Sequence, residues 1–419
     1  MQRSLAVQSI GSSVCLSIVL LAAIVVAGTM HAADPSPPVC AAVAKLGWEL
    51  LRASEDGNAI VSPVSIWESL AMTHAGARGQ TAAEIAGVLG MPHDSAVISA
   101  AAKTLRQTFA DAKGKNSTLS IASRLWVQNG KEINDSFTTL LNKNYGAATG
   151  IVDFKGAAEA SRAEINGWVS EHTEKKIDEL LQVGSITSQT QLVLTNAVYM
   201  KAPWAKTFDK AATRPAPFLI AAGNSIDVPF MHRDGELTAG KVGVGKAAAT
   251  VCEIPYDGNR LVMIVIVPDA VDGVLEVLNG FGGDWRAKWM ASAANSQPEV
   301  RSRTVHLVLP RWIARQSLSL KTVLQSMGLQ QAFQPGTADF SGIDGGKELF
   351  LSSAMHEGFV DVSEEGTAAA AATAIVVGVT SIGAQTAPLE VRADRPFLWA
   401  VIEQQTGGVL FAGLVRDPR

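Results

Sequence analysis

Between Glu365 and Glu390 the chain carries no charged residue, between Glu365 and Phe397 it carries no aromatic one, and Thr367 to Ala374 are all alanine or threonine. Composition alone would allow a flexible linker or an exposed alanine-rich helix. The alternation decides between them. Taken at the strand period of two, Thr367, Ala369, Ala371, Thr373, Ile375, Val377 and Val379 share one face, and Gly366, Ala368, Ala370, Ala372, Ala374, Val376 and Gly378 share the other. One face is mostly β-branched and the other mostly tiny. A strand uncharged on both faces suits the middle of a sheet covered on both sides, yet nothing in it forbids exposure. The fold must therefore accommodate a segment that can live in either place.

The rest of the chain supplies the sheets and helices. Ala41 to Leu51 has helical spacing, and Ser62-Pro63 opens a second helix whose apolar run stops at Gly76. Thr81 and Glu84 have the spacing of a capping box. LSIASRLWVQ reads as a strand, Phe137 to Tyr145 and Ala157 to Lys176 as helices, and QLVLTNAVYM as a buried strand. Strand-like runs dominate from Phe218 to Pro310, so the expected class is α+β.

With 419 residues, 47% hydrophobic and 18% charged, the chain can bury a large core. A formal net charge of −4 with scattered Lys and Arg leaves no footprint for nucleic acid. Arg3 followed by the apolar run Val14 to Ala27 reads as an export signal cleaved between about Gly28 and Ala33, the run being shorter than the about 20 residues of a spanning helix. The expected product is residues 34–419 as one domain, secreted, or periplasmic in a bacterium, and off the membrane once the signal is removed. Cys15, Cys40 and Cys252 are too few for a disulfide framework. No clustered Cys/His pattern points to a metal, and no cofactor is expected. GxSxG, HExxH, GxxxxGK[ST] and strand-linked GxGxxG are all missing, and each of the seven histidines has an ordinary reading as a surface or core residue, so no enzyme is expected. Asn116-Ser117-Thr118 and Asn134-Asp135-Ser136 match the glycosylation sequon.

EEGTAAAAAT, Glu364 to Thr373, is similar to the hinge of inhibitory serpins, and ADRPF followed by GGVLFAGLVRDP resembles the carboxyl-terminal signature of that family. NAIVSPVSIWESLAM, GARGQTAAEI, LTNAVYMKAPW, EIPYDGNRLVMIVIVPD, LPRW, MGLQQAF and ADFSGI resemble further family motifs in family order, over residues about 40 to 419. The resemblance implies a serpin fold of three β-sheets with about eight or nine helices and an exposed reactive-centre loop at about 364–390. It implies a monomeric suicide inhibitor of a serine protease, with a cysteine protease as the other possible target. The protease cleaves the loop, and the freed loop enters the main sheet as a new strand. A non-inhibitory carrier, chaperone or storage protein is the alternative.

By the same resemblance the hinge comprises Glu364, Glu365, Gly366, Thr367, Ala368, Ala369, Ala370, Ala371, Ala372 and Thr373. Ser62, Ser65, Asn196 and His356 correspond to a hydrogen-bonded cluster beneath the opening strands, and Trp204 with Glu364 to the point where insertion begins. Two departures stand out: Lys201-Ala202-Pro203 replaces the usual Lys-Gly before the tryptophan, and Ala368 stands where an acidic residue is common. Neither puts a bulky, charged or proline residue into the inserting strand. Counting from Glu364 places the reactive bond at Thr380-Ser381; Ile382-Gly383 is the alternative, since counting back from Pro396 gives a position two to five residues later. All candidates are neutral and non-aromatic, which favours elastase-like or subtilisin-like proteases. Thr367 is expected to face the core after insertion and Ala368 to face outward. Because the loop is expected to lie exposed beforehand, a charge at either position is expected to spare folding.

Overall fold

Ser62 is extended and Pro63 takes the first helical position of α2 (Pro63–Gly76), where its missing N–H costs nothing. Every residue of this helix is buried, including Glu68 and His74. A helix with no solvent face must be enclosed by other elements. The enclosing elements include α1 (Pro38–Arg52), α3 (Gly79–Leu89), α4 (Ser95–Ala112), α5 (Asp135–Tyr145) and a sheet. The computed structural model describes residues 38–54, 57–282, 285, 300–367 and 387–419, all within one compact unit. The expected signal, hinge residues Ala368 to Thr373 and both candidate bonds, Thr380-Ser381 and Ile382-Gly383, lie outside the described residues.

That sheet has six described strands: β2 (Thr118–Gln128), β3 (Gly150–Val152), β4 (Leu192–Pro203), β10 (Trp312–Ser319), β11 (Leu351–Ser363) and the two-residue β12 (Gly366–Thr367). Their order is β10-β11-β12-β4-β2-β3, and below β12 the long strands β11 and β4 pair directly and in parallel. α2 covers one face of this sheet. α6 (Ala158–His172) covers the other, setting Ile165, Val169 and Trp168 against Trp126, Val193, Ala122 and Ala197. The central strands are thus buried on both sides, and in β4 nine residues in succession, Leu192 to Met200, are buried.

The remaining strands are β1 (Ala59–Val61), β5 (Arg214–Ala221), β6 (Asn224–Val244), β7 (Ala247–Pro255), β8 (Leu261–Pro268), β9 (Arg301–Pro310), β13 (Leu389–Arg392), β14 (Phe397–Glu403) and β15 (Val409–Val415). Hydrogen bonding links these nine into one sheet because β6 changes partners along its length. Its first part pairs with β5 and β9, and its last residues, Ala239 to Val244, pair with β7. The second and third sheets expected from the sequence are therefore continuous through one strand. β8, β14 and β15 are buried from end to end and carry the core behind α2.

Local expectations fare unevenly. The expected capping box does not form: α3 starts at Gly79, so Thr81 is already inside the helix and accepts from the Asp339 N–H at 3.0 Å. Glu84 accepts instead from the N–H groups of Gln330 and Gln331, both at 2.8 Å. α6 stops at His172 rather than Lys176, because Glu174 and Lys175 have φ of 51° and 57° and cannot continue a right-handed helix. Of the two sequons, Asn116 is exposed, whereas the Asn134 amide donates to the Gly342 carbonyl at 3.1 Å.

Candidate functional site

Asn196 of β4 and His356 of β11 are direct register partners across the parallel seam. Side chains opposite one another in a sheet share a face, and here both point toward α2. Asn196 Oδ1 accepts from Ser65 Oγ at 2.9 Å and from His356 Nδ1 at 2.5 Å. The Ser62 N–H donates to His356 Nε2 at 3.1 Å, so Nε2 is the acceptor and the ring proton sits on Nδ1. Asn196 Nδ2 donates to Ser123 Oγ at 2.6 Å and Ser69 Oγ at 3.1 Å. Ser62 Oγ does not cap its helix; it donates to the Leu410 carbonyl at 2.7 Å, tying the start of α2 to β15. Ser62, Ser65, Asn196 and His356 have no exposed surface, and burial pushes the His356 imidazole down to about 3. The four residues singled out in the sequence form one neutral, paired network spanning α2, β4 and β11.

Above the seam the chain leaves β11 at Ser363, turns through Glu364 and Glu365, and returns as β12 between β11 and the end of β4. Trp204 holds the turn twice, its indole N–H donating to the Ser363 carbonyl and its backbone N–H to the Glu365 carbonyl, each at 2.9 Å. Glu364 is buried, yet Arg311 grips its carboxylate in a fork of contacts at 2.6–2.9 Å, and Thr213 donates to it as well. Burial works to raise the Glu364 carboxyl, but these bonds outweigh it and hold the group below the usual carboxylate range. Lys210 pairs with Glu365.

Gly366 has φ of +149°, and a Cβ there would stand 2.1 Å from the Ala202 carbonyl oxygen. No other residue fits without moving β4. Thr367 is fully buried, and its Oγ1 bonds the Tyr256 hydroxyl at 2.6 Å; the Tyr256 ring stacks on Trp204 at 4.5 Å. This corrects the expectation that the hinge is wholly exposed before cleavage. Thr367 already occupies the sheet and faces the core, so a charge there would disturb the starting state. Ala202 and Pro203, where the sequence departs from the usual motif, are the pairing partners of Thr367 and Gly366.

Sequence reasoning did not single out Tyr256, Ser123, Ser69, Arg311, Thr213 or Lys210. Tyr256 lies within the EIPYDGN motif and Arg311 within LPRW, but nothing local to either segment points to the hinge. Only the return of β12 brings them there.

A family model described as serpin (serine protease inhibitor) matches residues 41–418. The chain belongs to the serpin family. A serine protease inhibitor of Cyanea capillata is 33% identical over 369 residues, covering 88% of this chain and 94% of that one. Leukocyte elastase inhibitor A of Rattus norvegicus is 34% identical, with 88% and 95% covered. Among solved structures, a highly specific serpin of the insect Tenebrio molitor superposes with a TM-score of 0.77 at 28% identity, covering 91% and 97% of the two chains. The thermophilic serpin tengpin in its native state gives 0.79 at 26% identity, covering 92% and 95%. In this serpin the paired seam lies in one sheet with Gly366 and Thr367, which pair with both of its strands above it.

Proposed function

We propose that this serpin is an exported trap for serine proteases of elastase-like or subtilisin-like preference, which it captures when cleavage frees the loop to run down the seam between β11 and β4. The observation that carries this reading is the pairing of Gly366 and Thr367 with both seam strands while Leu192 to Tyr199 remain paired with β11 below. Entry has begun, and the rest of the path is closed by bonds that can be exchanged.

The registers fix what continued entry would do. One step per residue from Thr367, opposite Val362 and Ala202, brings Ala368 between Asp361 and Lys201, and Thr373 between His356 and Asn196. The inward positions are then Thr367, Ala369, Ala371, Thr373 and Ile375, the β-branched face of the segment. Thr373 would arrive where the His356–Asn196 bond now stands, with a hydroxyl able to take over both partners. That matters because a buried polar group left unpaired costs about 1–3 kcal/mol. About 15 residues at ~3.3 Å each would carry an attached protease roughly 50 Å.

The loop offers Val379, Thr380 and Ile382 and no basic residue before Arg392. Purified protein mixed with a panel of serine proteases is therefore expected to give denaturant-resistant complexes with elastase-like or subtilisin-like members, and mass spectrometry of the released peptide is expected to place the cut at Thr380-Ser381 or Ile382-Gly383. Trapping of a trypsin-like protease through the loop would overturn the specificity. Complete absence of trapped complexes, with the loop simply cut, would overturn the inhibitory reading in favour of a carrier or storage role.

A further inference from the structure

β13 ends its sheet, is four residues long, and among the described strands pairs with β9 alone. It anchors the far end of the chain that leaves β12 at Thr367. Its docking brings titratable groups together from four strands. The registers place Asp234 of β6, His306 of β9 and Glu390 of β13 side by side, and two residues along on the same face they place His232, Val308 and Arg392. Arg214 of β5, opposite Phe230, stands next to His232 on that face. His306 Nδ1 donates to Asp234 Oδ1 at 2.7 Å, so a carboxylate is at hand for a second proton on that ring. His232 has no such partner. It is 8% exposed, its Nε2 has no hydrogen-bond partner among the described residues, and its ring lies 5.6 Å from that of His306. Burial first, then the charges of Arg214, His306 and Arg392, push the His232 imidazole below its ordinary value against the pull of Asp234. Glu390 is engaged by Arg392 in two contacts at 2.8 Å, Lys206 donates to the Asp234 carbonyl at 2.9 Å, and Glu236 accepts from Thr304 at 2.6 Å. With both rings neutral, Arg214, Arg392 and Lys206 are balanced by Asp234, Glu390 and Glu236. Arg392 also shares a cavity with Lys241 and Arg395, whose carboxylates Asp269 and Asp394 are already engaged at 2.7 and 2.9 Å, so no idle carboxylate waits for it there.

We propose that His232 and His306 form an acid-sensitive clasp on β13: protonation of the two rings leaves this face with excess positive charge, and β13 comes off β9. It is the strand held least, by four register pairs against seven for β5 on β6 and ten for β6 on β9. Its departure carries the Arg392 charge into water and lets solvent reach His232. The sign follows from linkage. His232 in the opened state takes up its proton near pH 6.5 and in the docked state only at lower pH, so docking is fully supported above 6.5 and weakens as pH falls below it. At pH 5.0 this one ring can raise the opened population by at most about thirtyfold. The chain between Thr367 and Leu389 then keeps one anchored end in place of two, and trapping falls in acid. That last step rests on the inhibitory function proposed above; the release of β13 does not.

The test follows backbone amide exchange of the full chain at pH 7.5 and 5.0, corrected for the intrinsic rate, in peptides spanning Leu389 to Ala393, whose Ala393 N–H donates to the Val308 carbonyl at 2.9 Å. The expected result is an acceleration of about five- to thirtyfold at pH 5.0, confined to β13 and the β9 amides facing it, and abolished by His232→Gln. Arg392→Gln is expected to flatten the response too, and its side chain is 38% exposed, so it keeps the test valid if His232→Gln folds poorly. His172→Gln, on α6, is expected to respond as the parent does. No acceleration in the parent, acceleration spread evenly over β5, β6 and β9, or a full acid response in the His232 or Arg392 variant would overturn the clasp. Protease trapping is then timed at pH 7.5 and 5.5, each rate divided by the rate at which the same protease cuts a small substrate. A fall in the parent that His232→Gln removes supports the link to trapping, and an unchanged ratio sinks that link while leaving the clasp intact. A protein that traps no protease at either pH would refute the inhibitory reading and leave the exchange data to be judged alone.

Discussion

At the scale of single residues, protonation of His356 would be costly. Its Nε2 accepts from the Ser62 N–H, so an added proton would face a donor, and burial already holds the ring down to about 3. The unfolded chain takes up that proton near pH 6.5, the folded one only near 3. The stability contributed by neutral His356 is therefore complete above pH 6.5 and declines as pH falls toward 3, by about 1.4 kcal/mol per pH unit. Glu68 runs the other way: burial, against the pull of Arg106, raises its carboxyl to about 7, so its contribution is complete below 4.5 and is lost as pH rises through 7. The two effects oppose one another between pH 4.5 and 6.5, which is why the comparison needs a variant. Between pH 6.5 and 4.5 the parent is expected to lose about 2–3 kcal/mol relative to His356→Gln, read from denaturant midpoints across that range. Parallel pH curves would show that the ring is not the buried neutral acceptor described here.

At the scale of elements, β12 is short enough for one side chain to decide its fate. Burying an unpaired guanidinium costs at least several kcal/mol, more than two residues of pairing can return, so Thr367→Arg is expected to drive β12 out of the sheet, with loss of the Tyr256 bond and a lower melting temperature. Each ~1.4 kcal/mol added to the insertion barrier slows that step about tenfold, and the protease would then escape by deacylation. Ala368→Glu, which continued entry would place between Asp361 and Lys201 on the outward side, is expected to spare both folding and trapping. The number of inhibitor molecules consumed per protease trapped should rise steeply for the first variant and little for the second. Equal effects would mean that the register is wrong. The alternation of small and β-branched residues made this element legible in the sequence, because a period of two follows from backbone geometry alone. The partners of Thr367 were not legible. Tyr256 lies far from it along the chain, and the reach of Arg311 to Glu364 depends on how two sheets meet. The failed capping box at Thr81 has the same cause: Asp339, from a distant segment, took the hydroxyl that local spacing had assigned to the helix start.

At the scale of the whole molecule, cleavage should make the protein harder to melt. A β12 lengthened from two residues to about a dozen would add hydrogen bonds along both seam strands and bury Ile375 and its neighbours against α2. A higher melting temperature after nicking in the loop is the expected outcome, and an unchanged or lower one would argue against insertion. The overall class was readable from ordered motifs spread over the chain, whereas the fusion of two expected sheets through β6 was not, since a change of partner midway along a strand leaves no mark in its own residues. The seam has one further consequence. Counted one residue per step, its β4 wall runs out at Leu192, opposite Val377, before either candidate bond is reached. On the proposed mechanism, bait and spring are thus written in separate stretches of the chain. Mutations at Thr380 to Gly383 would then drift from one quarry to another without blunting the trap, while a single change at Gly366 or Thr373 would disarm it against every protease alike.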